Sequence, residues 1–298
     1  MAARKVLMVE PKHFISNPET VGDNFFQQPG SDSQEDLTEI AKKEFAGIVN
    51  VLKSAGIEVH IFRQDDDLKT PDALFPNNWF STIPGGTCIL YPMMAPNRRL
   101  ERRANIRKFL SGHYARQIDL THDEDRGLFL EGTGSLVMDH ENRVAYGSLS
   151  QRTSSNMAFE WSKLTGYEIV LFTSYDRDRQ TIYHTNVMMC IAGKFAIVCL
   201  DALEDDDARE RVQLSLERTG HEIIEITFDQ MHHFCGNCLE LENKKEEKFL
   251  CMSAQAFGAF TDLQKKQIEK HCTILQSEIH TIETAGGGGV RCMLAELY

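Results

Sequence analysis

Cys292, His184 and Glu131 are a thiol, an imidazole and a carboxylate, the groups that a covalent hydrolase of C–N bonds requires, and they share a period. Asn78 to Glu131, Glu131 to His184 and His184 to Asn237 are each 53 residues, and Asn237 to Cys292 is 55. A thiolate is the strongest side-chain nucleophile near neutrality, provided that its surroundings favour the charged form. Cys292 follows four glycines, Gly286 to Gly289, and Arg291 beside it supplies a cation expected to favour the thiolate. His184 can deprotonate the attacking group, protonate the leaving amine and then activate water. Glu131, between Leu130 and Gly132, can orient that imidazole or accept from a substrate N–H. Alone, Cys292 would read as a core thiol and His184 as an ordinary polar residue. The common spacing makes them a candidate set.

A repeat with this period must be built from equivalent structural units. Amphipathic helices are predicted over 34–55, 98–112, 154–165, 205–219 and 261–271. Asn97 and Ser154 are expected as N-caps, and Gly56, Gly166 and Gly220 fall just past C-termini. A short alternating strand follows each helix at 57–62, 116–120, 167–172, 221–226 and 272–275. Aligning Glu58, Gln117, Glu168, Glu222 and Thr273 gives separations of 59, 51, 54 and 51. The unit is ββαβ-like, and five of them close into an α/β propeller of one domain spanning 1–298. Equivalent positions would then converge on the axis, around one small pocket.

The 298 residues are 42% hydrophobic and 26% charged, the balance of a soluble globular chain. Net charge is −12, from 32 basic and 44 acidic residues, which opposes nucleic-acid binding. The basic stretch Asn97 to Arg103 is expected as a solvated helix face. No apolar run approaches a membrane span, and no signal peptide precedes the first strand, around Val6 to Val9. Eight cysteines, several inside apolar strand-like runs, fit a reduced cytoplasmic protein. Cys235-Gly-Asn-Cys238 has redox or zinc spacing but no second ligand pair, so it is expected as a turn into a strand. Asp65 to Asp67 is expected as a solvated loop, and Glu204 to Asp207 as the acidic start of a helix. No metal and no cofactor are expected.

Several stretches together are specific: Asn17-Pro-Glu-Thr20 with Asn24 and Gln27, Thr70 to Thr82, Ala95 to Arg99, Leu130 to Ser135, Gln151 to Thr153, His184-Thr-Asn186 and Gly286 to Cys292. They resemble the arginine-deiminase-related, citrulline-utilisation-hydrolase branch of the guanidino-group-modifying (pentein) superfamily, over nearly the whole chain. The resemblance implies the five-blade propeller and a covalent intermediate on Cys292, with His184 as acid–base and Glu131 as the carboxylate binding substrate and histidine. It also implies that Arg152, in Ser150-Gln-Arg-Thr153, takes a substrate α-carboxylate, and that Asp72, Phe75, Asn78 and Asn186 line the substrate site. Arginine deiminases carry two aspartates that grip the guanidinium, where this chain has Asn78 and Asn186. The expected partner is therefore a small molecule, a neutral ureido amino acid such as citrulline, with a homodimer left open. Alternatives are an arginine deiminase, a related amidine hydrolase or amidinotransferase, and a non-enzymatic binding protein on the same fold.

Overall fold

The computed structural model describes residues 1–28, 33–63 and 69–298, so the expectation for Asp65 to Asp67 lies outside the described residues. Its strands form five three-stranded sheets. Four of them follow one plan. A hairpin such as Phe80–Ile83 with Thr87–Leu90 is antiparallel; the chain then crosses through the helix Ala104–His113 and adds Arg116–Asp119 parallel to the second strand. The same plan recurs with Leu136–Asp139, Val144–Ser148 and Glu168–Phe172, then with Met189–Ile191, Phe195–Val198 and Glu222–Glu225. It recurs again with Leu239–Glu242, Lys248–Ser253 and Thr273–Ser277. In the fifth sheet Lys5–Glu10 lies between Glu58–Arg63, parallel to it, and Ala295–Leu297, antiparallel to it. The repeated ββαβ unit expected from the spacing is thus present.

The crossover helices form for ordinary reasons. Gln34–Ser54 is capped by Ser33 and turns Leu37, Ala41, Phe45, Ile48 and Leu52 inward at helical spacing. Full burial of each large side chain contributes about 1.5–3 kcal/mol. Gly56, Gly166 and Gly220 have φ of 82°, 75° and 78°, the left-handed geometry that ends a helix. Asp205 caps Asp206–Arg218 and Thr261 caps Asp262–Glu269, so the acidic start of the former is as expected.

One helix departs from expectation. In place of 98–112 capped by Asn97, a turn of helix at Pro96–Arg99 is followed by a bend and then by Ala104–His113. Asn97 bonds Asn17 and caps nothing. The cause is Arg98, which is 2% exposed and runs inward. It donates to both oxygens of Glu101, at 2.9 and 3.1 Å, and the bend brings that carboxylate under it. The basic stretch is therefore partly an internal framework and only partly a solvated face.

The helix His280–Gly286, which leads into the glycine run, holds a carboxyl at odds with its surroundings. Glu283 is 1% exposed, and neither of its oxygens has a hydrogen-bond partner. Burial, reinforced by the carboxylates of Glu44 and Glu278, pushes it up from 4.5 to about 8. Between those values the folded protein keeps a proton that the unfolded chain has lost, so stability must fall as pH rises through that window. Glu283→Gln is expected to melt higher than wild type at about pH 8 and to lose most of the difference at about pH 5. Melting curves at the two pH values check this.

Candidate active site

Each residue of the 53-residue series lies just before the first strand of its sheet. Asn78 ends the turn Pro76–Asn78 ahead of Phe80–Ile83. Glu131 precedes Gly132–Ser135, and His184 precedes Thr185–Met188. Asn237 lies just ahead of Leu239–Glu242, and Cys292 is in Val290–Met293. These segments bond one another in succession. Asn77 Nδ2 donates to Thr133 Oγ1 at 3.0 Å, Thr185 Oγ1 to Ser135 O at 2.6 Å, Asn237 Nδ2 to Asn186 O at 2.9 Å, and Arg291 N to Asn237 O at 3.3 Å.

Their side chains meet at a cleft of about 260 Å³, counted to its open mouth. Cys292, His184, Asn78, Asp72, Phe75 and Arg152 line it, together with Asn24, Arg98, Tyr183 and Gly286 to Gly288. Two expected site residues stand behind this lining. Glu131 is fully buried behind the imidazole, with its Oε2 2.9 Å from His184 Nε2 and its Oε1 accepting from Met94 N at 3.0 Å. Both oxygens are engaged, so of its two expected roles the geometry favours orienting the histidine. With Nε2–H given to the ionised Glu131, His184 Nδ1 is the ring nitrogen that keeps its lone pair. Asn186 stands behind the thiol, with its Nδ2 3.6 Å from Cys292 Sγ.

The lining tolerates no bulk. A Cβ on Gly134 would lie 2.5 Å from Asn78 Nδ2 and 2.7 Å from His184 Nδ1, and one on Gly288 would lie 2.9 Å from the Phe75 ring. The glycines flanking Glu131 and Cys292 are thus what lets these side chains approach one another.

Charge is arranged unevenly. Burial alone would raise Glu131, but Arg152, the His184 hydrogen bond and Arg98 together hold it down at about 2. For His184, burial lowers the basicity more than Glu131 restores it, so the imidazole is neutral in the free protein near pH 7. Burial likewise pushes the Cys292 thiol up, against hydrogen bonds from Asn237 and Asn186 and the charge of Arg291. The expectation that Arg291 would favour the thiolate is met only in part, because its guanidinium is committed to Glu296 at 2.7 Å and to Leu294 O. The thiol and the imidazole therefore face the same cleft with both groups held toward their neutral forms.

Sequence reasoning missed three contributors. Asn237 is on the period, inside the Cys235 to Cys238 turn, and its Nδ2 is 3.3 Å from Cys292 Sγ. Arg98 passes its Nη1 to Asn78 Oδ1 at 2.8 Å and lies 3.6 Å from Asp72. Asp23 pairs with Arg152, and no periodic signal marks it. Cys235 and Cys238 are buried free thiols bonded to Ala256 O and Cys235 O, in the turn that was expected. Among the described residues no group of three or more His, Cys, Asp or Glu side chains is placed to hold a metal ion.

Several solved structures of other proteins share this fold. The N-terminal domain of ArgZ, an arginine dihydrolase from the ornithine–ammonia cycle in cyanobacteria, superposes with a TM-score of 0.77 at 17% identity, over 99% of this chain and 97% of that one. A cysteine mutant of AgrE bound to L-arginine gives 0.76 at 17% identity, over 99% of this chain but 40% of AgrE. An adduct of dimethylarginine dimethylaminohydrolase with S-methyl-L-thiocitrulline gives 0.68 at 14% identity over the whole of both chains. At these identities the likeness shows the fold alone, an α/β fold that this chain shares with all three. No curated protein sequence matches the chain. A family model does, over residues 10–298, and the chain therefore belongs to the family described as N,N dimethylarginine dimethylhydrolase, eukaryotic, among the guanidino-modifying enzymes.

Proposed function

We propose that this chain hydrolyses a neutral ureido amino acid, citrulline first, through a covalent intermediate on Cys292. The observation that carries the reading is the orientation of Asn78. Arg98 has only donors, so its 2.8 Å bond fixes Asn78 Oδ1 toward it and leaves Asn78 Nδ2 as a buried donor with no partner. A ureido oxygen satisfies that donor. A guanidinium brings only further N–H groups to it, and an unpaired buried donor costs about 1–3 kcal/mol.

In this reading Cys292 Sγ passes its proton to His184 Nδ1 and attacks the ureido carbon. The C–N bond to the ornithine nitrogen breaks, and His184 returns the proton to that nitrogen, which leaves as the amine. The remaining Cys292 S-carbamoyl thioester is attacked by water, with His184 again taking the proton, and the freed carbamate breaks down to CO2 and ammonia. Citrulline and one water thus give ornithine, CO2 and ammonia. Glu131 holds the imidazole and stabilises its charged form, while Asn237 and Asn186 donate to the sulfur when it is anionic. Arg152 receives the α-carboxylate, and Asp72 Oδ1, a buried acceptor without a partner, receives the α-ammonium. The five sheets are read as blades of one closed propeller spanning 1–298, with the bonded motif segments around its axis.

A second reading, an arginine dihydrolase, is favoured by the likeness to ArgZ and by the negative charge of Asp72. Rates of ornithine and ammonia release decide between them. Citrulline is expected to exceed arginine in kcat/KM by at least tenfold, about 1.4 kcal/mol. Asn78→Asp keeps the Arg98 contact, replaces the donor by an acceptor and is expected to narrow that ratio. Arginine favoured tenfold would select the second reading; no turnover of any ureido or guanidino amino acid would leave a binding protein.

A further inference from the structure

Arg152 is not free to receive a carboxylate. Its Nε donates to Asp23 Oδ2 at 2.7 Å and its Nη2 to Asp23 Oδ1 at 2.5 Å. This is the two-bond fork by which a guanidinium grips the α-carboxylate of an amino acid. The remaining Nη1 stands 3.6 Å from Glu131 Oε2, and the guanidinium lies over the Tyr183 ring, 4.7 Å from its centroid. Arg152 is almost wholly buried, while the Asp23 side chain keeps 17% of its surface exposed. Asp23 and Tyr183 also line a second, wider groove with Gly22, Phe25, Ser150, Gln151 and Gln180, open to solvent. The ion pair therefore stands between the outer groove and the inner cleft, where Cys292 is only 4% exposed. Next to it in the chain, Asn24 Nδ2 ties the same segment to Gly287 O, at 3.3 Å, in the glycine run before Cys292.

Resting on the reading of Arg152 as the α-carboxylate site, we propose that Asp23 is an internal competitor of the substrate: its carboxylate occupies the Arg152 fork in the free enzyme and is displaced by that of the incoming amino acid. The exchange trades one Arg152–carboxylate pair for another, so the buried guanidinium never loses its counter-charge. Asp23 swings toward the groove, where water solvates it, and the Gly22–Phe25 segment is released with it. A ureido amine without an α-carboxylate cannot make the exchange. Discrimination for α-amino acids is then built into the closed state as well as into the contacts of the bound one.

Two readouts test this on the full-length protein. The first is the rate at which iodoacetamide alkylates Cys292, followed by mass spectrometry, which needs no knowledge of the substrate. The second is KM for citrulline against N-carbamoylputrescine, the same ureido group without the carboxylate. Asp23→Asn is expected to speed alkylation and to lower the citrulline KM, each by about tenfold, and to lower the KM of N-carbamoylputrescine at least as much, so that the preference for the α-amino acid narrows. Arg152→Lys, which keeps the charge but loses the fork, is expected to speed alkylation as well while raising the citrulline KM. Unchanged alkylation in both variants overturns the proposal, as does a citrulline KM that rises in Asp23→Asn, which would make Asp23 a substrate ligand. Should citrulline not be turned over at all, faster alkylation in both variants still supports the Asp23–Arg152 closure, and only the substrate assignment falls.

Discussion

Cys292→Ala is expected to leave a folded protein without measurable turnover of any ureido or guanidino substrate. The replacement removes the proposed nucleophile and exchanges one small buried side chain for another beside Val290 and Met293, a change the core can absorb. The remaining thiols offer no substitute. None of the other seven lines the cleft and all are buried; burial pushes Cys88, Cys199 and Cys272 up to about 12 and raises Cys235, Cys238 and Cys251 as well. Circular dichroism should match wild type while the rate falls to background. In the wild-type protein quenched during turnover, an adduct should be found on Cys292 alone. A Cys292→Ala protein with a near-normal rate would end the covalent mechanism.

His184→Ala is expected to lose about 10²–10⁴ in kcat, the usual range for a positioned acid–base group. The pH profile gives this prediction its sharper form. In the free protein His184 titrates below its usual range and Cys292 above its own, so the neutral pair spans neutrality. The acid limb of kcat/KM, where His184 becomes protonated and cannot take the thiol proton, should therefore lie below pH 6.5. Activity should stay level through neutrality, with any alkaline change above the ordinary thiol value of 9. Glu131→Gln withdraws the carboxylate that raises the histidine, so the acid limb should move further down while kcat falls. An acid limb that stays in His184→Ala would assign it to some other group.

Much of this site is legible in the sequence because the repeat is. Five segments placed before five equivalent strands must recur at nearly equal spacing, and so Asn78, Glu131, His184 and Cys292 could be grouped without coordinates. What stayed hidden depends on bonds between residues whose separation carries no period. Arg98 reads as one charge in an exposed run until Glu101 and Asn78 are seen on either side of it. Asp23 meets Arg152 from a segment 129 residues away. Asn237 was on the register, but two flanking cysteines carry a stronger short-range pattern than an amide does. The direction of the Cys292 shift was also hidden, since adjacency in sequence to Arg291 says nothing of where its guanidinium goes.

The five sheets also differ in how far apart along the chain their strands are drawn. Four come from continuous stretches, 80–119, 136–172, 189–225 and 239–277, whereas the one built on Lys5–Glu10 needs Glu58–Arg63 and Ala295–Leu297 together. Closing a long loop before its contacts can reward it slows folding. The local sheets can gain order independently, while the register of Lys5 against Leu297 waits for nearly the whole chain to be gathered. Cys292 lies between the last local sheet and that closing strand. In a refolding experiment with pulsed hydrogen exchange, amides of 80–119 and 136–172 should gain protection ahead of those of 5–10 and 295–297. Recovery of the Cys292 environment, read by its alkylation rate, should follow the slower phase, so that the candidate site is completed only at the final step of folding.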